Sequence, residues 1–204
     1  MLFRTLLLLG TQALGSLLAE EKAAYTFGTT VVDSAGLHGR VYHLEPDTKK
    51  LPKFSGMHSV GSVYTNSLNV WPQNFAEGFP NITERFEWFA IEYTGKFWIE
   101  KAGVYRFSLL ADDGARLKLN NKLVIDNDGI HRAGAISSSA TLTRGVHQIN
   151  VEYFQGPRLT VALVLAVALP GEPWRVFDMS DFKPPKDPEE WKEGKVAKIQ
   201  RQTP

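Results

Sequence analysis

The chain of 204 residues has no cysteine, only three methionines and almost no surplus charge: 23 basic against 22 acidic side chains give a formal net charge of +1. Without cysteine there are no disulfides, thiolate zinc sites, iron–sulfur clusters or cysteine nucleophile, and no lipid can be attached at a new N-terminal cysteine. Without a charge excess the chain lacks the electrostatic footprint of a protein that binds nucleic acid or an anionic membrane. Long helical periodicity and repeats of solenoid period are also missing. Aromatic surface, by contrast, is plentiful: twelve Phe, six Tyr and five Trp lie within a composition that is 43% hydrophobic, more than a solvated, disordered chain carries. The length fits one domain with tails and is ample to bury a core.

Residues 1–19 read as a secretory signal peptide, with Arg4 ahead of a leucine run that continues to Leu17-Leu18-Ala19 and meets Glu20-Glu21-Lys22. A spanning helix needs roughly 20 predominantly apolar residues, and this stretch is broken by Thr11, Gln12 and Ser16. Cleavage after Ala19 sets Leu17 where a small residue is preferred, whereas cleavage after Gly15 offers the pair Ala13 and Gly15, so both sites stay open. A secreted, periplasmic or cell-surface protein is expected, with no transmembrane span after signal cleavage. Lacking disulfides, it must draw durability from its core or from a metal.

Beyond this segment, apolar residues alternate with period two. Tyr105, Phe107 and Leu109 share a face opposite Arg106 and Ser108; Leu117 and Leu119 oppose Arg116 and Lys118; Ile149, Val151 and Tyr153 oppose Gln148, Asn150 and Glu152. These patterns predict half-buried antiparallel strands. Asn120-Asn121 separates two such runs, and asparagine tolerates the positive φ of a tight hairpin turn. Gln155-Gly156-Pro157 breaks the chain before the run 159–169, which is apolar on both faces and predicts a strand covered on both sides. From Pro170 the composition turns to Pro, Glu and Lys. The tail from Lys183 carries six positive and four negative side chains without apolar periodicity. It reads as a solvated, partly disordered extension over residues 170–204, with Trp174, Phe177 and Phe182 pinning its first part to the domain.

The order and spacing of Gly103-Val104-Tyr105-Arg106-Phe107, Ala111-Asp112-Asp113-Gly114-Ala115-Arg116-Leu117, Leu123-Val124-Ile125-Asp126 and Gly145-Val146-His147-Gln148-Ile149-Asn150-Val151-Glu152-Tyr153-Phe154 resemble one family. It is the protective-antigen fourteen (PA-fourteen) domain, a β-sandwich or barrel module of bacterial toxins, glycosidase insertions, flocculins and other surface adhesins. The resemblance covers residues 36–169. It implies an all-β, antiparallel sandwich or barrel, in agreement with the strand pattern; fold alone does not establish function.

Asp112-Asp113-Gly114 carries the chemistry to be weighed. Asp-Gly is a common turn signal, and adjacent side chains on an extended strand point to opposite faces, so they cannot clasp one ion without a backbone distortion. In the carbohydrate-binding members of the resembling family the two aspartates are joined by a cis peptide and share one calcium. The resemblance therefore implies that Asp112 and Asp113 are calcium ligands. Calcium takes six to eight oxygens; in the lectin-like relatives a second loop adds an asparagine side chain and backbone carbonyls, and sugar hydroxyls complete the shell. The matching loop here is Gln155-Gly156-Pro157-Arg158, which departs from that pattern by being short and by carrying glutamine in place of asparagine. Gln155 offers an amide oxygen and Gly156 a carbonyl, and these are the expected further ligands. Among aromatics that could stack on a sugar, Trp88, Phe89, Phe97 and Trp98 lie in strand-like segments and belong to the core. Trp71, beside Pro72, is the expected ligand contact.

Other signals carry less. Aligning Gly129 with the invariant glycine of an EF-hand puts Val124 and Ala135 where that loop needs acids, so Asp126-Asn127-Asp128-Gly129 reads as a turn. His131 and His147 have no third ligand at metal spacing and read as structural. Asn81-Ile82-Thr83 is a glycosylation acceptor where the source glycosylates. Glu84, Glu87 and Glu92 cluster in sequence without a nucleophile and base in sight. The expected function is thus an exported, non-catalytic carbohydrate-binding module, calcium-dependent, acting in adhesion or glycan targeting. The competing expectation is a structural or protein-interaction domain that binds no sugar and docks a cell-surface partner through its tail.

Overall fold

The computed structural model describes residues 26–157 and 160–201. The export segment read from residues 1–19 lies outside them, as does Arg158 of the loop discussed above. The alternating sequences fold as predicted. In β5 (Gly103–Asp112), β6 (Ala115–Leu119) and β9 (Gly145–Gln155), the residues Tyr105, Phe107, Leu109, Leu117, Leu119, Ile149, Val151 and Tyr153 are all buried. Antiparallel pairing assembles two sheets. The first runs β2 (Gly61–Thr65), β1 (Leu37–His43), β4 (Phe89–Ile99), β9, β6 and β7 (Lys122–Asn127). The second runs β11 (Arg175–Val176), β10 (Thr160–Ala168), β5, β8 (Gly134–Leu142) and β12 (Val196–Arg201), with β3 (Asn69–Asn74) also on β10. As expected from a run apolar on both faces, β10 is flanked on both edges. Among the described residues no helix is long and apolar enough to cross a membrane.

Local chemistry sets the joints. Asn120 and Asn121 take φ of 47° and 61° and close the β6–β7 hairpin, in which Leu119 faces Lys122. Between the sheets, Phe27, Phe79 and Phe89 pack within 4.9–5.8 Å of one another, centroid to centroid. Such pairs add roughly 0.5–1.5 kcal/mol each beyond the area they bury. A second apolar cluster lies on the outer face of the first sheet, where residues from the connection after β1 (Leu44, Leu51, Phe54) cover Tyr42, Ala90 and Phe154.

Two sequence expectations are overturned. The sandwich does not begin at residue 36: Phe27 is buried in its core, and Thr29 pairs with Tyr64. Nor is the tail a solvated extension. Phe177 and Phe182 are buried and stack at 4.8 Å, as anticipated, but the chain then continues as a strap. Glu193 bridges to Val146, Val196 is buried, and β12 pairs with β8. Alternation was hard to read there because β12 is a sheet edge, with four of its six residues exposed. Trp174 is held at the surface, with the Arg106 guanidinium 4.9 Å from its ring centre.

Candidate functional site

Asp112 ends β5 and Gly114 precedes β6, so the acidic doublet sits where the chain crosses from the second sheet to the first. The Asp112–Asp113 peptide bond is cis. Both carboxylates meet one loop. Asp112 Oδ2 accepts the Ala133 N–H at 3.0 Å, and Asp113 Oδ1 accepts the His131 N–H at 3.0 Å. Asp113 Oδ2 also accepts the Gly156 N–H at 2.8 Å, and the Asp113 residue is only 4% exposed. A carboxylate has about four lone-pair sites, so an oxygen that accepts one N–H retains capacity for a cation.

Beneath the doublet, the Tyr153 hydroxyl lies 2.5 Å from the Asp112 carbonyl oxygen and 2.7 Å from Gln155 Oε1, donating between them. Burial, reinforced by the negative charges of Asp113 and Asp112, pushes the Tyr153 phenol well above its ordinary range and keeps it a neutral donor. The Gln155 amide in turn donates from Nε2 to the Thr160 carbonyl at 3.0 Å. The Gln155 Oε1 accepts one proton and keeps a second lone pair, while the residue, fully buried, is held by these contacts as a brace under the doublet. Period two explains this: Gln155 shares the inward face of β9 with Tyr153. Gly156 likewise enters as an N–H donor to Asp113, while its carbonyl faces the Trp88 N–H at 3.5 Å. A Cβ at Gly156 would lie 3.1 Å from Asp113 Oδ2 and 3.3 Å from Ile130 Cδ1, so any side chain there crowds the carboxylate.

Trp71 is 48% exposed on β3 and one strand removed from β5. Ala162 of β10 faces Asp112, and Trp71 falls in the register shift on the other edge of β10, which puts it about 10 Å from the doublet by strand spacing. The sequence had not indicated the part played by the 131–133 backbone, because N–H groups donate whatever side chain they carry. The neighbouring acids are accounted for otherwise: Arg116 donates to Asp126 and Asp128 at 2.9 Å each, and Asp128 accepts the Leu51 N–H at 2.8 Å. Among the described residues no three His, Cys, Asp or Glu side chains converge to hold a metal; the two adjacent carboxylates are hard oxygen donors, the chemistry that calcium takes.

A family model of the PA14 domain matches residues 49–175, more than half of the chain. The chain belongs to the PA14 domain family. Its fold is that of solved PA14 structures. The PA14 sugar-binding domain of an RTX adhesin superposes with a TM-score of 0.61 at 19% identity, over 71% of this chain and 96% of that one. The PA14 domain of the MpAFP antifreeze protein gives 0.58 at 18% identity, over 76% and 94%. The epithelial adhesin 9 A domain of Candida glabrata, solved with Galb1-3GlcNAc, gives 0.51 at 14% identity, over 76% and 92%. No curated protein matches the chain.

Proposed function

We propose that this PA14 domain is an exported, non-catalytic carbohydrate-binding module in which Asp112 and Asp113 hold a calcium ion that takes part in the sugar contact. The observation that carries the reading is the convergence of two successive carboxylates on one loop: Asp112 on Ala133 N–H and Asp113 on His131 N–H. Side by side the two negative charges repel, and a divalent cation offsets that repulsion. Held by Asp112 and Asp113, a calcium ion would supply a Lewis-acidic point for vicinal sugar hydroxyls and so selectivity through ring stereochemistry. The chain's own residues do the positioning. Gly156 and the 131–133 backbone fix the carboxylates, Tyr153 and Gln155 brace them from below, and exposed Ile130 beside the doublet offers an apolar contact to a sugar's C–H face. Trp71 is assigned a more distant contact on the same side. That two glycan-related adhesin domains share the fold supports the ligand class. Action at the cell surface or outside it follows from the leucine-rich segment at residues 1–19.

Melting the protein with millimolar calcium and with chelator tests the metal. Calcium should raise the wild-type midpoint, by an increment that grows with its concentration, and Asp113→Asn should abolish the increment. No shift in either protein refutes the calcium site. A glycan array run with and without calcium then separates the lectin from a domain that binds no sugar.

A further inference from the structure

A groove of about 1920 Å³ crosses the outer face of the first sheet, and neither Asp112 nor Asp113 lines it. It exceeds the roughly 300–1,000 Å³ of an ordinary small-molecule pocket and has room for an extended occupant. Its floor is a row built by register: Tyr64 faces His38, His38 faces Thr94, Thr94 faces Asn150 and Asn150 faces Lys118. Five neighbouring strands span about 19 Å at the usual spacing, enough for several sugar residues end to end. The strap formed by the tail and the 33–36 segment wall the groove.

The lining has three properties. It is basic: six lysines stand against Asp33, Glu92, Glu152 and Glu193, a surplus of two that exceeds the net charge of +1 carried by the entire chain. The surplus is available, because Glu92 is paired with Arg40 and Glu152 with Lys118, whereas exposed Lys96, Lys183, Lys192 and Lys195 form no ion pair among the described residues. It has a flat aromatic platform, the Tyr64 ring stacked on His38 at 4.9 Å and 9°. It presents acceptors as well as donors, through Glu92, Glu152 and the amides of Asn150 and Gln148. A ligand meeting all three needs negative charges for the lysines, C–H faces for the ring and hydroxyls to donate to the floor's carboxylates. A polyglutamate chain has no such hydroxyls, and single-stranded RNA, which carries them on its sugars, is the polyanion to be tested against the oligosaccharide.

We propose that this groove is a second, calcium-independent binding site for an acidic oligosaccharide of the uronate class. It stands apart from the doublet and rests on none of its chemistry. Calorimetric titration of the full chain with an oligogalacturonate, in chelator and at low salt, tests it. Binding should appear, weaken as salt rises, and fall about tenfold or more in Lys96→Glu/Lys192→Glu, since two attractions become repulsions. Tyr64→Ala should weaken it further, whereas Asp113→Asn should leave it unchanged and a neutral cello-oligosaccharide should not bind. The lysines are exposed, so an unaltered melting curve verifies that the charge-reversed protein folds; amide shifts along the row from Tyr64 to Lys118 and in the strap, absent at Asp112 and Asp113, place the ligand independently. The proposal is overturned if the oligogalacturonate does not bind, if the double variant binds it equally, or if polyglutamate or single-stranded RNA competes at equal charge.

Discussion

Tyr153 shows how much one side chain settles at this site. Its ring lies in the core, 5.4 Å from Phe27, while its hydroxyl reaches the Asp112 carbonyl and Gln155 Oε1. Tyr153→Phe keeps the ring and strips the donor, leaving two buried acceptors without their shared proton. Destabilisation of about 1–3 kcal/mol is expected, read as a lower urea midpoint at unchanged slope in chelator. The calcium increment should shrink in the same variant, because the backbone of Asp112 loses its anchor. A variant as stable as wild type would show that the hydroxyl does not brace the site.

Between residue and fold lie the clamps that join elements, and His147 is the clearest. On β9 its ring is fully buried, with Nε2 2.9 Å from the Thr143 carbonyl and Nδ1 3.3 Å from the Asn120 amide. Gly194 of the strap lies directly against the ring, and a Cβ there would have no room. Asn120 ties the cluster together, donating to Gly194 O at 2.9 Å and accepting the Gln148 N–H at 2.7 Å. Burial lowers the His147 pKa, outweighing the opposing hydrogen bond to Thr143, so the folded ring stays neutral. The unfolded chain takes up its proton near about pH 6.5 and the folded one only at lower pH. Between those values the unfolded state binds more protons, so stability rises with pH. His147 thus contributes stability that is complete above about pH 6.5 and is lost as pH falls toward the lowered folded value. Melting scans from about pH 7.5 to 5.5 should show the wild type losing stability more steeply than His147→Gln; parallel slopes would remove His147 as the cause.

At the scale of the whole molecule, β12 holds the two sheets to each other. It pairs with β8 in the second sheet, while Lys122 Nζ donates to Val196 O at 2.7 Å and Arg201 donates to Leu123 O at 2.8 Å from the first. Val196 anchors it, 3% exposed within the main core. Val196→Ala should cost about 1–3 kcal/mol through lost burial and the void left behind, whereas Lys198→Ala on the exposed face should stay within about 0.5 kcal/mol. Hydrogen exchange in β8 and β12 should accelerate selectively in the first variant. Equal denaturation midpoints for the two would return the tail to the solvated role its composition suggested.

Alternation in β5, β6 and β9, the Asn120-Asn121 turn and the doubly covered β10 were legible in the sequence, because burial of one face and positive φ at a turn are imposed by neighbours in the chain. The acidic doublet and its family were legible for a similar reason, as short motifs in fixed order. The sequence could not show that both carboxylates meet the 131–133 backbone, since amides eighteen and twenty-one residues away donate without regard to side chain. Nor could it turn Gln155 inward beneath Asp112 or draw Val196 into the core. Those depend on strands far apart in sequence becoming neighbours, and so does the basic groove, whose row from Tyr64 to Lys118 joins five strands and exists only in register. Local pattern determined which residues face inward; the pairing of distant strands decided which of them meet, because hydrogen-bond register is satisfied across the sheet and not along the chain.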